Sequence, residues 1–140
     1  MRSKKGFTLV EIMIVVAIIV LLAAIAIPNL LRARLSANEA TTIAAMRTVS
    51  TAAESFRAGQ SPPAYPAALS CLSAATPPYI DSVLGGGNKS GYNFTWSGSG
   101  NTYSVTAAPL VGNVTGVRSF FVDQSGVVRV GTTSAGTPIE

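Results

Sequence analysis

The sequence predicts an α+β chain, with a long N-terminal helix packed on an antiparallel sheet of about four strands. Three observations predict it. Phe7 to Ile27 is an apolar run that carries a single carboxylate, Glu11. From Leu31 to Phe56 the apolar residues recur at helical spacing, and from Tyr92 onward the period drops to two.

The first element begins with three cations, Arg2, Lys4 and Lys5, and then Gly6. Phe7 to Leu31 as helix would span about 37 Å, enough to cross a bilayer with tilt. A secretory signal peptide has this outline, and Ala24-Ile25-Ala26 offers a cleavage site. Against it stand the charge within the apolar stretch and a length at the upper limit for such a signal. A plain membrane anchor would keep the leader cations cytoplasmic, although Arg32 and Arg34 beyond the span weaken that asymmetry unless they snorkel to headgroups. Neither reading accounts for Glu11. A charge inside a membrane helix is costly and calls for a partner.

The stretch Lys5-Gly6-Phe7-Thr8-Leu9-Val10-Glu11 resembles the processing signal of the type IV pilin family, K-G-F-T-L-(I/V)-E. The likeness extends over about the first 55 residues, with Pro28 at the family's usual proline position. It implies that 1–6 is a leader, cut after Gly6 by a prepilin peptidase that also methylates the new N-terminus at Phe7. The apolar helix then stays on the mature chain. The implied life cycle starts in the bacterial inner membrane, with the N-terminus cytoplasmic, and ends in a helical filament of many copies outside it. Assembly and retraction ATPases and a platform membrane protein are the other implied partners. Cleavage would place a positive amine on Phe7, four residues before Glu11, and such residues share a helix face. The same pair can form between an incoming subunit and one already assembled, and removing one partner of a buried pair is strongly destabilising. On this likeness Phe7, Glu11 and Pro28 are the assembly residues. Two functions compete within the family, a surface pilus subunit for adhesion, motility or DNA uptake and a type II secretion pseudopilin. The chain lacks the paired cysteines of many pilins and the acidic, calcium-binding end of the major pseudopilin. Glu11 argues against the tip subunit that lacks this residue. From another class, a simple membrane-anchored or secreted binding domain also fits the outline.

Pro28 has no N–H to give and clashes with the carbonyl four residues back, so the helix should kink or loosen there, or else a second helix starts at it. Beyond it Leu31, Leu35, Thr42, Met46, Val49, Ala53 and Phe56 form a stripe, with Arg34, Glu39, Arg47, Glu54 and Arg57 off it. This predicts an amphipathic half over 32–58, stopped by Gly59 and by Pro62 and Pro63. A C-terminal β domain would fill 59–140. Residues 60 to 90, with five prolines and Gly85-Gly86-Gly87, read as loop, and the glycines lack the Lys-Ser/Thr of a phosphate loop. Tyr92, Phe94 and Trp96 then alternate with polar residues, Ser97 to Asn101 reads as a turn, and Tyr103, Val105 and Ala107 form the partner strand. A second hairpin is predicted from Val117–Asp123 and Val127–Val130 about Gln124-Ser125-Gly126.

Composition excludes more chemistry than it suggests. Of 140 residues 48% are hydrophobic and only 11% charged, against about 25% charged in ordinary domains, so lipid or neighbouring subunits should cover much of the surface. The net charge is +4, but without the three leader cations the side chains sum to +1, which does not indicate a nucleic-acid partner. There is no histidine and one cysteine, Cys71, so Cys/His zinc spacing, a self-made disulfide and a Ser-His pair are all impossible. The carboxylates are scattered, and no pair suggests acid/base catalysis. Asp123-Gln124-Ser125-Gly126 faintly resembles a calcium loop but lacks further acids, and a hairpin turn fits it better. Three N-x-S/T sites, at 88, 93 and 113, carry little weight in so Asn/Ser/Thr-rich a region. The expectation is a structural subunit with no cofactor, no metal and no enzyme activity.

Overall fold

A computed structural model of the chain describes residues 6–139, so the leader cations Arg2, Lys4 and Lys5 lie outside the described residues. The chain divides into two compact units, Met1–Ala33 and Arg34–Glu140. Helix α1, Leu9–Ala58, contributes to both.

In the first unit the sequence is rich in isoleucine and valine, which are only moderate helix formers in water. In lipid that preference is overruled, because every backbone group must find its partner inside the segment. Every large apolar side chain from Phe7 to Leu31 is at least 50% exposed. Of the helices among the described residues, α1 alone is long and apolar enough to cross a membrane. α1 continues through Pro28, so that residue does not open a separate helix. The side-chain amide of Asn29 donates to the Ile25 carbonyl at 3.1 Å, adding a hydrogen bond beside the position where proline removes one.

In the second unit the predicted stripe lies against a sheet. Thr42, Met46, Val49 and Ala53 are buried, joined by Ala45 and Ala52. Leu35 and Phe56 are half-buried, and Leu31 falls in the first unit and is exposed. Opposite the helix stand Tyr92 and Phe94 of β2 (Tyr92–Ser99), Val105 and Ala107 of β3 (Thr102–Pro109), and Phe120 and Val122 of β4 (Phe120–Asp123). In β2 and β3 the alternation puts one set of side chains into the core and leaves the intervening set more exposed, whereas in β4 the intervening Phe121 is buried as well.

The sheet has six antiparallel strands in chain order, not about four. The additional ones are two residues long: β1 (Asn88–Lys89) and β6 (Thr137–Pro138) edge a sheet whose fifth strand, β5, is Arg129–Val130. A two-residue strand has no period to read, and only pairing reveals it. The first hairpin is tighter than predicted. β2 extends to Ser99, which pairs with Thr102, so only Gly100 and Asn101 turn. Gly98 belongs to the strand, where a Cβ would press on Tyr103. β4 starts at Phe120 rather than Val117, because the backbone N–H groups of Val117 and Arg118 are engaged by Glu39 instead of by a ladder.

Residues 60 to 90 are more ordered than a loop. Helices α2 (Leu69–Ala74) and α3 (Ser82–Gly85) bury Leu69, Leu72 and Leu84 in the core. Asp81 caps α3, accepting the Leu84 N–H at 2.7 Å, and binds Lys89 Nζ at 2.6 Å. The Lys89 ammonium, then that N–H, hold its carboxyl below the usual range. Cys71 is a half-buried free thiol on α2. These helices escaped detection because a run of four to six residues is too short to show a period.

Removal of the chain up to about Pro28 should leave a soluble monomer, since the remaining part of α1 supplies the core face that the sheet needs. Size-exclusion chromatography and circular dichroism of that fragment would check it; an insoluble or unfolded product would contradict this division of labour.

Candidate functional site

The residues that the sequence singles out in the first unit are Gly6, Phe7, Glu11 and Pro28. The helix begins at Leu9, so Thr8 is its N-cap and Glu11 its third residue. The Glu11 backbone N–H donates to Thr8 Oγ1 at 3.2 Å. In return Glu11 Oε2 accepts the Thr8 backbone N–H and the Thr8 hydroxyl, each at 2.8 Å. This is a reciprocal capping box, which satisfies donors that no helical carbonyl can reach. The sequence carries the signal for it as Thr8-x-x-Glu11, an N-cap threonine followed three residues later by glutamate. The box also explains why Phe7 lies outside the helix: the cap residue must leave helical geometry. An i, i+4 pairing on one helix face therefore does not describe Phe7 and Glu11 in this uncut chain. Phe7 is 83% exposed, and nothing within 4 Å crowds a Cβ built on Gly6, so the Gly6-Phe7 bond stands open. Pro28 sits inside α1 with its neighbours uncovered.

One concavity of the second unit, about 560 Å³, is a shallow dish lined by residues such as Ser97, Ser104, Phe121 and Asp123. Asp123 is occupied by its own turn, accepting the Ser125 N–H at 2.9 Å while its carbonyl takes the Gly126 N–H. Among the described residues no three acidic, cysteine or histidine side chains come together.

A feature that pattern reading placed wrongly is Glu39. Predicted to lie off the stripe, it is 8% exposed. Its Oε1 accepts the backbone N–H groups of Val117 (3.0 Å) and Arg118 (3.2 Å), and Oε2 binds the Arg118 guanidinium at 2.9 Å through Nε and 2.7 Å through Nη2. Burial pushes its carboxyl up, but the Arg118 and backbone hydrogen bonds outweigh that, and the net displacement is downward. Tyr92 donates to the Arg118 carbonyl at 2.9 Å, and burial with the nearby Glu39 charge pushes its phenol up to about 12. Gly116 is required beside it, since any Cβ there would overlap the Tyr92 hydroxyl. Arg57, also predicted off the stripe, is half-buried with its guanidinium 4.9 Å from the centre of the Tyr65 ring. Tyr65 in turn donates to Glu54 at 2.6 Å.

An apolar helix exposed on every side, an open Gly-Phe bond before it and a carboxylate in its first turn are three parts of one sequence signature. Residues 1–27 match the prokaryotic N-terminal methylation motif. The major component of the type IV wide pilus, PilA4, of Thermus thermophilus is 64% identical over 39 residues, which is 28% of this chain and 30% of that protein. Two fimbrial proteins of Pseudomonas aeruginosa are each 72% identical over 29 residues, 21% of this chain and 19% of theirs. The chain matches less than a third of the length of these relatives. No solved structure matches.

Proposed function

We propose that this protein is the structural subunit of a type IV pilus, made as a membrane-inserted prepilin and polymerised through α1. The observation that carries the proposal is the fully exposed apolar helix behind a methylation motif. About 25 apolar residues exposed to water would be untenable, and a bilayer followed by neighbouring helices supplies the missing cover. The names of the relatives, a pilus component and fimbrial proteins, favour a surface filament over a secretion pseudopilus.

In this scheme a prepilin peptidase cuts after Gly6 and methylates Phe7, leaving a permanently charged or readily protonated amine. The capping box prepares Glu11 for that amine. Both bonds from Thr8 fall on Oε2, so Oε1 can take a further donor without the helix end being undone. An incoming subunit brings its Phe7 amine into the apolar bundle of those already assembled, where only an aligned Glu11 compensates the charge. The pair thus sets the axial register. Pro28 removes one backbone hydrogen bond from the apolar helix and gives it a place to adapt to its neighbours. An assembly ATPase and a platform membrane protein supply the work of extraction. The protein acts as a building block and not as an enzyme.

The test is to shear surface filaments from the source cells and analyse the chain within them. It should begin at Phe7, carry the mass of a methylated amine, and retain all of α1. A chain beginning at Ile27 would restore an ordinary secretory signal, and a correctly processed chain confined to the periplasm would favour the pseudopilus.

A further inference from the structure

Among the described residues of the second unit six large apolar side chains remain exposed: Tyr79, Val83, Leu110, Val111, Val114 and Val117. Four of the six fall in one loop, Leu110–Val117, which contains no charged residue. The loop is held in shape. Thr115 Oγ1 accepts the Val111 N–H and donates back to the Val111 carbonyl, both at 3.1 Å, and the Thr115 N–H reaches the same carbonyl at 2.9 Å. The Leu110 N–H donates to Gly91 at 2.9 Å. Asn38 Nδ2 donates to the Thr115 carbonyl at 2.9 Å, and Glu39 grips the two N–H groups that end the loop. A fixed loop that shows four aliphatic side chains to water is built to be covered.

Its place in the unit points to what covers it. Asn38 and Glu39 follow Arg34 by four and five residues, about 6–8 Å along the helix. The far end of the same helix holds other parts of the unit, with Ser50 bonded to Tyr103 and Glu54 to Tyr65. The loop therefore lies at the end of the unit where the chain arrives from the apolar segment. Seven residues separate Leu31 from Asn38, a tether of at most about 25 Å by any path. Of the second unit's charges near this end, Arg34 and Arg118 are exposed, Glu39 is buried and engaged, and Lys89, two residues from Gly91, is neutralised by Asp81. The face is apolar with a basic rim, which complements an anionic lipid surface.

We infer that loop Leu110–Val117 seats on the outer surface of the bilayer that holds the unassembled subunit, with its aliphatic side chains in the headgroup–acyl boundary and Arg34 and Arg118 among the headgroups. The inference rests on the membrane reading given above. It makes the second unit a body docked on the membrane rather than one that swings freely on its anchor.

The test uses the full-length processed chain with Cys71→Ser as background and one cysteine at a time labelled with an environment-sensitive fluorophore. Val114→Cys probes the loop, with Val117→Cys as a second position on it. Leu22→Cys probes the apolar helix, and Gln60→Cys the far end. The vesicles are phosphatidylethanolamine with phosphatidylglycerol, doped with lipids that carry a nitroxide quencher near the top of the acyl chain. At high lipid dilution the loop probes should be shifted to the blue and lose emission to the lipid quencher, as Leu22 does, while Gln60 stays water-like and unquenched. Loop probes that remain unquenched while Leu22 is quenched overturn the inference and leave the membrane reading standing. An unquenched Leu22 removes both. A blue shift that appears only as vesicles are crowded with protein, without lipid quenching, assigns the loop to a second copy of the chain and also overturns it.

Discussion

Replacing Glu11 by alanine is expected to leave the chain inserted in the membrane and cut after Gly6, but unable to add to a filament. Insertion persists because the change makes the segment more apolar. Processing persists because the Gly6-Phe7 bond is untouched. Assembly fails because the Phe7 amine of each incoming subunit is then buried without a counter-charge, a loss on the order of 10²- to 10³-fold in every addition step. The capping box sharpens the series of variants. Glu11 closes the helix end on Thr8, and under the proposed function it also carries the charge that meets the Phe7 amine. Glutamine can serve the first, since glutamine as well as glutamate closes such a box, but it cannot serve the second. Thr8→Val does the reverse, removing the hydroxyl while sparing the carboxylate. If charge registers the subunits, Glu11→Gln assembles poorly and Thr8→Val assembles well. Glu11→Asp should fall between glutamine and wild type, its carboxylate one methylene short. Filament yield, normalised to processed subunit in the membrane, measures all four. Normal filaments from Glu11→Ala would show that the carboxylate does not align the subunits.

Glu39→Ala should be a strongly damaging change to the second unit. It frees two backbone N–H groups and the Arg118 guanidinium at once. Bonds to a charged acceptor carry more than neutral ones, and a net loss of about 2–3 kcal/mol, or roughly 10–20 °C in melting temperature, is expected. Arg118 is half exposed and can return to water, which keeps the loss below that of a fully buried pair. The same group gives a pH dependence. Its carboxyl in the folded chain lies below the ordinary value of 4.5, because the hydrogen bonds to Arg118 and to the backbone outweigh burial. The folded state therefore binds its proton later than the unfolded chain does. The stabilisation is complete above the ordinary value and is lost as the pH falls through the depressed one. Melting curves of the detergent-solubilised chain, followed by circular dichroism over that acid range, should converge for wild type and Glu39→Ala. Parallel curves would mean that Glu39 is not the acid-sensitive group.

The contrast between these two glutamates shows what could be read without coordinates. Glu11 stands out because its neighbours within a few residues are apolar apart from Thr8, its capping partner three residues away. Glu39 sits in an ordinary polar stretch of a helix, and its partners are 78 and 79 residues distant. Spacing on the helix placed it outside the stripe, and the carboxylate is nevertheless buried because the chain brings Val117 and Arg118 over it. The same distinction divides the strands. Tyr92 to Trp96 and Tyr103 to Ala107 are long enough to show alternation, whereas β1 and β6 exist only by pairing with a neighbour already in place.

The sequence by itself determined the apolar segment, the methylation motif, the amphipathic stripe of Thr42, Met46, Val49 and Ala53, and the first hairpin. Each of these is set by interactions within about a turn of helix or across a short turn, so local order of residues is enough. Tertiary structure alone decided that α2 and α3 close the core, that the sheet has six strands, and that Glu39 clasps the loop Leu110–Val117. Those features depend on hydrogen bonds and contacts between distant parts of the chain, whose free energy appears only after the main hairpin and α1 have packed together.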